Sequence, residues 1–178
     1  MTLHDIAAAR QRVESVLRRR PQSGISDDAP ATARWEGGMR VVSRHANGTQ
    51  LPTDMPTELG GSGDQVSPGW LFRAGLASCA ATSIAMAAAN DGVALTRLEV
   101  RASSRSDARG LLGLPDVDGA PVFAGPSDVT LHVRIAASAV PPERLRALVD
   151  ASLRSSPIPS AVEHALPVAL HVDVEQVE

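Results

Sequence analysis

The sequence contains no lysine and no tyrosine, a single cysteine, and only Trp35, Trp70, Phe72 and Phe123 as aromatic residues. Each scarcity removes a class of chemistry. Without lysine there is no side-chain amine for a Schiff base, and all 17 basic residues are arginines, which grip carboxylates and other anions through a planar fork. So few rings leave no platform for stacking nucleotide bases, and they require a core of aliphatic side chains. One cysteine cannot close a disulfide within the chain. A formal net charge of −3 gives no electrostatic reason to expect nucleic acid or an acidic membrane as partner. No run approaches the roughly 20 uncharged apolar residues of a membrane span, because the best candidate is interrupted by Arg73. The N-terminal stretch MTLHDIAAARQRVESVLRRR is too polar for a signal peptide. A soluble, cytoplasmic protein is expected.

What is present suits one globular domain: 178 residues, 43 % hydrophobic and 21 % charged. Leu3, Ile6, Ala7, Val13, Val16 and Leu17 recur at helical spacing, and Pro21 closes that segment, so residues 3–19 are expected to form an amphipathic helix. A polar connector follows, and 1–33 is set apart from the domain at 34–178. Short strands are expected around Asn47-Gly48, the dipeptide of a type I′ hairpin. Ser67-Pro68 is a helix-start signal, and Asn90-Asp91-Gly92 is a stop. The helix between them has no polar face, which places it inside a domain or at a subunit interface. Three strands with two-residue alternation are expected in the second half, around 97–102, 129–135 and 168–175. Each has one dry face, as in antiparallel sheets covered on one side. A second core helix is expected from Leu145, Leu148, Val149 and Leu153, and residues 106–127 read as a long loop.

The cysteine lies in WLFRAGLASCAATSIAMAAAN, residues 70–90. Two readings compete. A buried cysteine packs as a small hydrophobe, and small neighbours such as Gly75, Ala77, Ala80 and Ala81 suit close packing. A reactive cysteine needs its thiolate stabilised by a cation, a helix N-terminus or a hydrogen-bond donor. Phe72, Leu76, Cys79, Ser83 and Met86 share one helix face. Cys79 is some three turns into its own helix, where the helix dipole has faded, so an arginine from elsewhere is required; Arg40 and Arg44 are the candidates. Other constellations do not develop. His4, His45, His132, His164 and His171 show no ligand spacing, although His132 and His171 could be neighbours across two strands. GGSG at 60–63 lacks the rest of a phosphate-binding motif and reads as a flexible turn, and GLASC is not a nucleophile elbow. No metal and no cofactor are expected.

Two stretches, LGGSGDQVSPGWLFRAGLASCAATSIAMAAANDGVALTRLEVRASSRSDARGLLGL and DVTLHVRIAASAVPPERLRALVDASLRSSPIPSAV, together resemble the OsmC/Ohr family of osmotically inducible and organic hydroperoxide resistance proteins. The resemblance covers roughly residues 34–176. It implies an α+β protomer with two central helices packed against antiparallel sheets, intertwined as a homodimer with its sites at the subunit boundary. The family's peroxidases use two cysteines: one on the central helix becomes a sulfenic acid, and one before a proline on the later helix resolves it as a disulfide. Cys79 matches the first and Ser156 the second. A serine hydroxyl cannot condense with a sulfenic acid to a disulfide. Gly69 stands where the hydroperoxide-resistance branch has a glutamate that holds the catalytic arginine, and Arg40 matches that arginine. Asp107 and Arg109 resemble a loop of the OsmC branch.

Two functions remain open. In one, Cys79 reduces organic hydroperoxides or senses redox state, with Ser156 as hydrogen-bond partner, Arg40 as activating cation and an external thiol as reductant. In the other, catalysis is lost and the homodimer binds a small hydrophobic or oxidised ligand.

Overall fold

The computed structural model describes residues 2–175. Helix α1 spans Leu3–Arg19. It starts at a capping box in which the Asp5 N–H donates to Thr2 Oγ1 (3.2 Å) and the Thr2 N–H donates to Asp5 Oδ2 (2.7 Å). Strands β1 (Thr32–Gly37), β2 (Arg40–Arg44) and β3 (Gln50–Thr53) form an antiparallel sheet in sequence order. The β2–β3 connection departs from the expected type I′ turn. Gly48 has a positive φ of 92° but Asn47 is not in the left-handed region, and the Gly48 N–H reaches the His45 carbonyl at 3.0 Å. A type I′ turn needs both central residues at positive φ; here a type I turn leads into a left-handed glycine, the geometry of longer hairpin loops.

Helix α2 spans Pro68–Asn90. The Ser67 hydroxyl oxygen accepts from the Trp70 N–H (3.2 Å), Pro68 occupies the first turn, and Gly92 (φ 67°) follows its end. It packs against α1, against strand β4 (Leu95–Arg105), and against helices α4 (Pro142–Arg154) and α5 (Pro157–His164). Its buried residues are Leu76, Ala80, Ile84 and Ala88, at the four-residue spacing of one helix face, and Ala89 near its end. Trp70, Phe72 and Met86 remain exposed. By length and composition alone α2 could cross a membrane despite Arg73, contrary to the sequence expectation, as can the core helix of a folded domain. In this fold its partners are protein elements.

Strands β4 and β5 (Ser127–Ala137) form a two-stranded antiparallel sheet, with Leu98 opposite Ile135 and Val100 opposite Val133. These four side chains pack against the core of Ile84, Ala88, Val93, Leu145 and Leu148, while Arg97, Glu99 and Arg101 face out. The loop between the strands contains a short helix, α3 (Ala108–Leu111), capped by Asp107. The third expected strand does not form. Residues 165–175 have no regular structure, and Val168, Leu170, Val172 and Val174 are 93, 83, 69 and 84 % exposed. An alternating pattern states which face would be buried but supplies no neighbour to pair with. His171 therefore does not meet His132, which lies opposite Arg101.

The segment that leads into α2 is fixed by charge. Asp54, 4 % exposed, accepts from the Met55 N–H (2.8 Å), the Ser62 N–H (3.2 Å) and the Ser62 hydroxyl (2.5 Å). The Arg40 guanidinium donates to Asp54 (3.2 Å), Ser62 Oγ (3.0 Å) and Asp64 (2.6 Å). A Cβ on Gly61 would lie 1.8 Å from the Met55 carbonyl oxygen, so GGSG is a packed turn and not a flexible one. The Ser62 hydroxyl, then the Met55 N–H, hold the Asp54 carboxyl below its usual range, outweighing the opposing effect of burial. A lowered native pKa gives stability that is full above the unfolded value of ~3.9 and is lost as pH falls through the native one. Wild type is therefore expected to lose thermal stability more steeply than Asp54→Asn between about pH 5 and pH 1, as followed by circular dichroism; parallel curves would remove Asp54 from the acid response.

Candidate functional site

Cys79 lies midway along α2 and is partly buried. The neighbour that matters comes from the corner between α4 and α5. Helix α4 ends at Arg154, and the chain turns so that Ser156 stands just before α5, its hydroxyl making no capping bond, with Pro157 in the first turn. The turn is closed by bonds from the Ser156 N–H to the Leu153 carbonyl (3.1 Å) and from the Ser160 N–H to the Ser156 carbonyl (3.0 Å). This buries Ser156 completely, with Oγ 3.3 Å from Cys79 Sγ.

The direction of these hydrogen bonds follows from counting protons. The Ser83 hydroxyl donates to Ser156 Oγ at 3.1 Å. Ser156 already accepts there, so its own proton is the one available to point at the sulfur. The sulfur also accepts from the Ile158 N–H at 3.4 Å. Pro157 has no N–H, which makes Ile158 the first free donor at the N-terminus of α5, where the helix dipole favours negative charge. Two donors thus converge on Sγ, one a hydroxyl relayed from Ser83 and one a backbone amide. The sequence expectation considered only the dipole of α2; a different helix directs its positive end at the cysteine.

The arginines are occupied elsewhere. Arg40 binds Asp54, Ser62 and Asp64; Arg44 pairs with Glu36 at 3.2 Å; Arg73 donates to Ser104 at 3.4 Å. Among the described residues the bonds to Sγ come from Ser156 and Ile158 and from no guanidinium. The structure brings Cys79 and Ser156 together and places Arg40 in the network before α2. Ser83 was legible as a member of the Cys79 face, but its donor role was not. Ile158 was missed because it acts through its backbone; the Ser-Pro pair at 156–157, a helix-start signal like that at 67–68, could have pointed to it.

Seven residues before Cys79 on the same face, or about 10 Å along the axis, Phe72 opens onto a cavity of about 520 Å³. Met55, Leu59, Leu111 and Pro126 give it apolar walls, and Arg73 and Asp107 lie at its margin. Asp107 is held by Arg109 through Nε (3.0 Å) and Nη2 (2.5 Å), which lowers its carboxyl pKa to about 2. That pair orders the loop between β4 and β5 beside the cavity.

A family model described as OsmC-like protein matches residues 61–171. Among solved structures, the chain is similar to an OsmC-like protein from Mycoplasma pneumoniae, with a TM-score of 0.64 and 14 % identity over 78 % of this chain and 89 % of that one. It is similar to an organic hydroperoxide resistance protein OsmC from Legionella pneumophila, with a TM-score of 0.56 and 21 % identity over 78 and 90 %. It is also similar to a proposed organic hydroperoxide resistance protein from Vibrio cholerae O1 biovar eltor, with captopril bound in one of its active sites, at a TM-score of 0.52 and 27 % identity over 78 and 87 %. A search among curated proteins gives no match.

The Ser156–Cys79 contact has a direct consequence. With Oγ and Sγ 3.3 Å apart, Ser156→Cys places a second sulfur beside the first. Treating that variant with an organic hydroperoxide is expected to consume both thiols and yield an intrachain disulfide, seen by thiol titration and peptide mass mapping. A variant that keeps two free thiols after oxidation would contradict the proximity.

Proposed function

The chain belongs to the OsmC-like family, and on that premise we propose that it reduces organic hydroperoxides with Cys79 as the attacking thiol and an external thiol as reductant. The observation that carries this reading is the pair of donors on Sγ, the Ser156 hydroxyl at 3.3 Å and the Ile158 N–H at 3.4 Å. Both donors are in place to hydrogen-bond the attacking sulfur, whose thiolate form is the nucleophile. The likeness to the Vibrio cholerae protein at 27 % identity supports the same substrate class.

The thiolate attacks the distal oxygen of the hydroperoxide. The O–O bond breaks, the alcohol leaves with a proton, and Cys79 becomes a sulfenic acid. Ser156 cannot resolve it. An external thiol condenses with the sulfenic acid, releasing water and leaving a mixed disulfide; a second thiol displaces Cys79 and carries away the disulfide. Ser156 serves as the hydrogen-bond donor to sulfur in place of a resolving cysteine. Arg40 enters this scheme only by leaving Asp54 and Asp64; the donors on Sγ are Ser156 and Ile158. The apolar cavity at Phe72 fits the organic half of the substrate.

The functional unit in this reading is a homodimer. Trp70, Phe72 and Met86 on α2 are exposed, as are Trp35 (70 %) and Leu51 on the first sheet and the alternating residues from Val168 to Val174. Apolar surface on this scale marks an interaction site. A second copy offers what one chain lacks, a sheet edge for the C-terminal segment and a cover for α2. Leu170→Glu combined with Val172→Glu is expected to halve the mass measured by light scattering; an unchanged dimer would remove the C-terminal segment from the interface.

The second reading, a homodimer that binds a small hydrophobic ligand without catalysis, is favoured by the same cavity and by Gly69 and Ser156 at two family site positions. Turnover separates the two. With cumene hydroperoxide and dithiothreitol, wild type is expected to turn over many equivalents and Cys79→Ser to fall to the uncatalysed background. Ser156→Ala is expected to lose roughly ten- to a hundredfold in rate, as for one hydrogen bond to a charged group. A wild type that consumes no hydroperoxide, with Cys79 gaining no oxygen by mass spectrometry, would leave only the binding reading.

A further inference from the structure

A sulfenic acid on Cys79 finds no side chain of its own protein to trap it. The sequence has no second cysteine to close a disulfide and no lysine to offer a side-chain amine. One intrachain route is left: a sulfenic acid also condenses with a backbone nitrogen, giving a sulfenamide. That route needs an N–H against the sulfur, free of secondary structure and held in place by the fold. The amide next in sequence does not qualify, because Ala80 lies inside α2, where its N–H belongs to the helix ladder.

The Ile158 amide meets each condition. Its N–H lies 3.4 Å from Cys79 Sγ. It stands in the first turn of α5, where N–H groups have no acceptor within the helix, so losing its proton breaks no backbone hydrogen bond. Pro157 and Pro159 flank it, and each ring fixes its own φ, which restricts the direction of the amide between them. Both Ser156 and Pro159 are buried, so the turn that carries the amide is anchored on either side. The two atoms are already in contact, and the bond between them requires no cavity and no bound ligand.

We propose that Cys79, once oxidised by a hydroperoxide, closes onto the Ile158 nitrogen as a reversible sulfenamide when reducing thiol is scarce. The inference rests on the sulfenic acid of the scheme above. Sulfur bonds to nitrogen, the S–O bond breaks, and the sulfenic hydroxyl leaves with the amide proton as water. The hydroperoxide has already taken the two electrons, so this step needs no further oxidant. A thiol reopens the link: it attacks Sγ, the S–N bond breaks, nitrogen regains a proton, and a second thiol reduces the mixed disulfide. The cross-link ties α2 to α5 across 79 positions. It also occupies the sulfur that a second hydroperoxide would carry to irreversible sulfinic acid.

The test treats the protein with cumene hydroperoxide in the absence of thiol and reads its mass before and after dithiothreitol. Wild type is expected to weigh two hydrogens less than the reduced protein and to recover them with dithiothreitol. Trypsin is expected to release one peptide joining residues 74–97 to 155–178, with fragment ions that place the bond at the Ile158 nitrogen. Ile158→Pro, which has no N–H, is expected to lose no hydrogens and to proceed to sulfinic acid, its fold checked by circular dichroism. Ser156→Ala is expected to keep the cross-link, which excludes an ester to the serine oxygen. Should Ile158→Pro fail to fold, the wild-type fragment ions decide alone. A wild type that stops at sulfenic or sulfinic acid, or a bond placed on any other atom, would overturn the inference, while turnover with dithiothreitol kept the peroxidase reading. A mass unchanged by hydroperoxide, with no turnover, would overturn both.

Discussion

The hydrogen bonds that converge on Cys79 Sγ connect the protein's longest helix to the corner that ends its sequence of core helices. Ser156 is completely buried and lies between Ser83 and the sulfur, so it ties α2 to the start of α5. A buried hydroxyl must find partners or bear the cost of desolvation. Here both of its hydrogen-bonding capacities are used, one with each of two residues on α2. The Ser156–Pro157 turn does more than end α4: it turns the amide of Ile158 toward the cysteine and excludes the proline nitrogen as a competing donor.

That arrangement puts two hydrogen-bond donors, and no guanidinium, at the sulfur. The first sheet uses Arg40 for another task. Asp54 is buried and carries charge, which is tolerable only with several donors around it. The Met55 amide, both donors of Ser62 and the Arg40 guanidinium supply them. The result is a rigid lead into α2, with Gly61 required because any side chain would strike the Met55 carbonyl. Positioning of the cysteine therefore begins some twenty residues before it, in a network whose contribution is structural in this conformation.

Along α2 the fold separates two environments. One end of the Cys79 face meets apolar side chains from the segment that leads into α2 and from the β4–β5 loop; the other meets a cleft closed by α1, with a mixed polar and apolar lining. The core stripe, Leu76 to Ala88, adjoins that face and shares Leu76 with it. Small residues around Cys79 let the start of α5 approach closely enough for the Ser156 hydroxyl and the Ile158 amide to reach the sulfur.

Local signals in the sequence were strong wherever the chain interacts with itself over a few residues. Thr2 with Asp5, Ser67 with Pro68 and Gly92 fixed the ends of α1 and α2, and the alternation in β4 and β5 fixed which face is dry. The family resemblance paired Cys79 with Ser156 before any coordinate did. The type I′ reading of Asn47-Gly48 failed because the dipeptide preference says nothing about the length of the loop around it. The strand expected at 168–175 failed because alternation is a property of one segment and pairing requires a second. The sequence by itself determined helices α1, α2 and α4, the position of the lone thiol and the absence of a second cysteine, since these depend on residue type and near-neighbour spacing. Only the tertiary structure decided that Ile158 donates to that thiol and that Arg40 is bound to Asp54 and Asp64. Such contacts join residues up to 79 positions apart, and their distances arise from packing whole elements together, which no short pattern encodes.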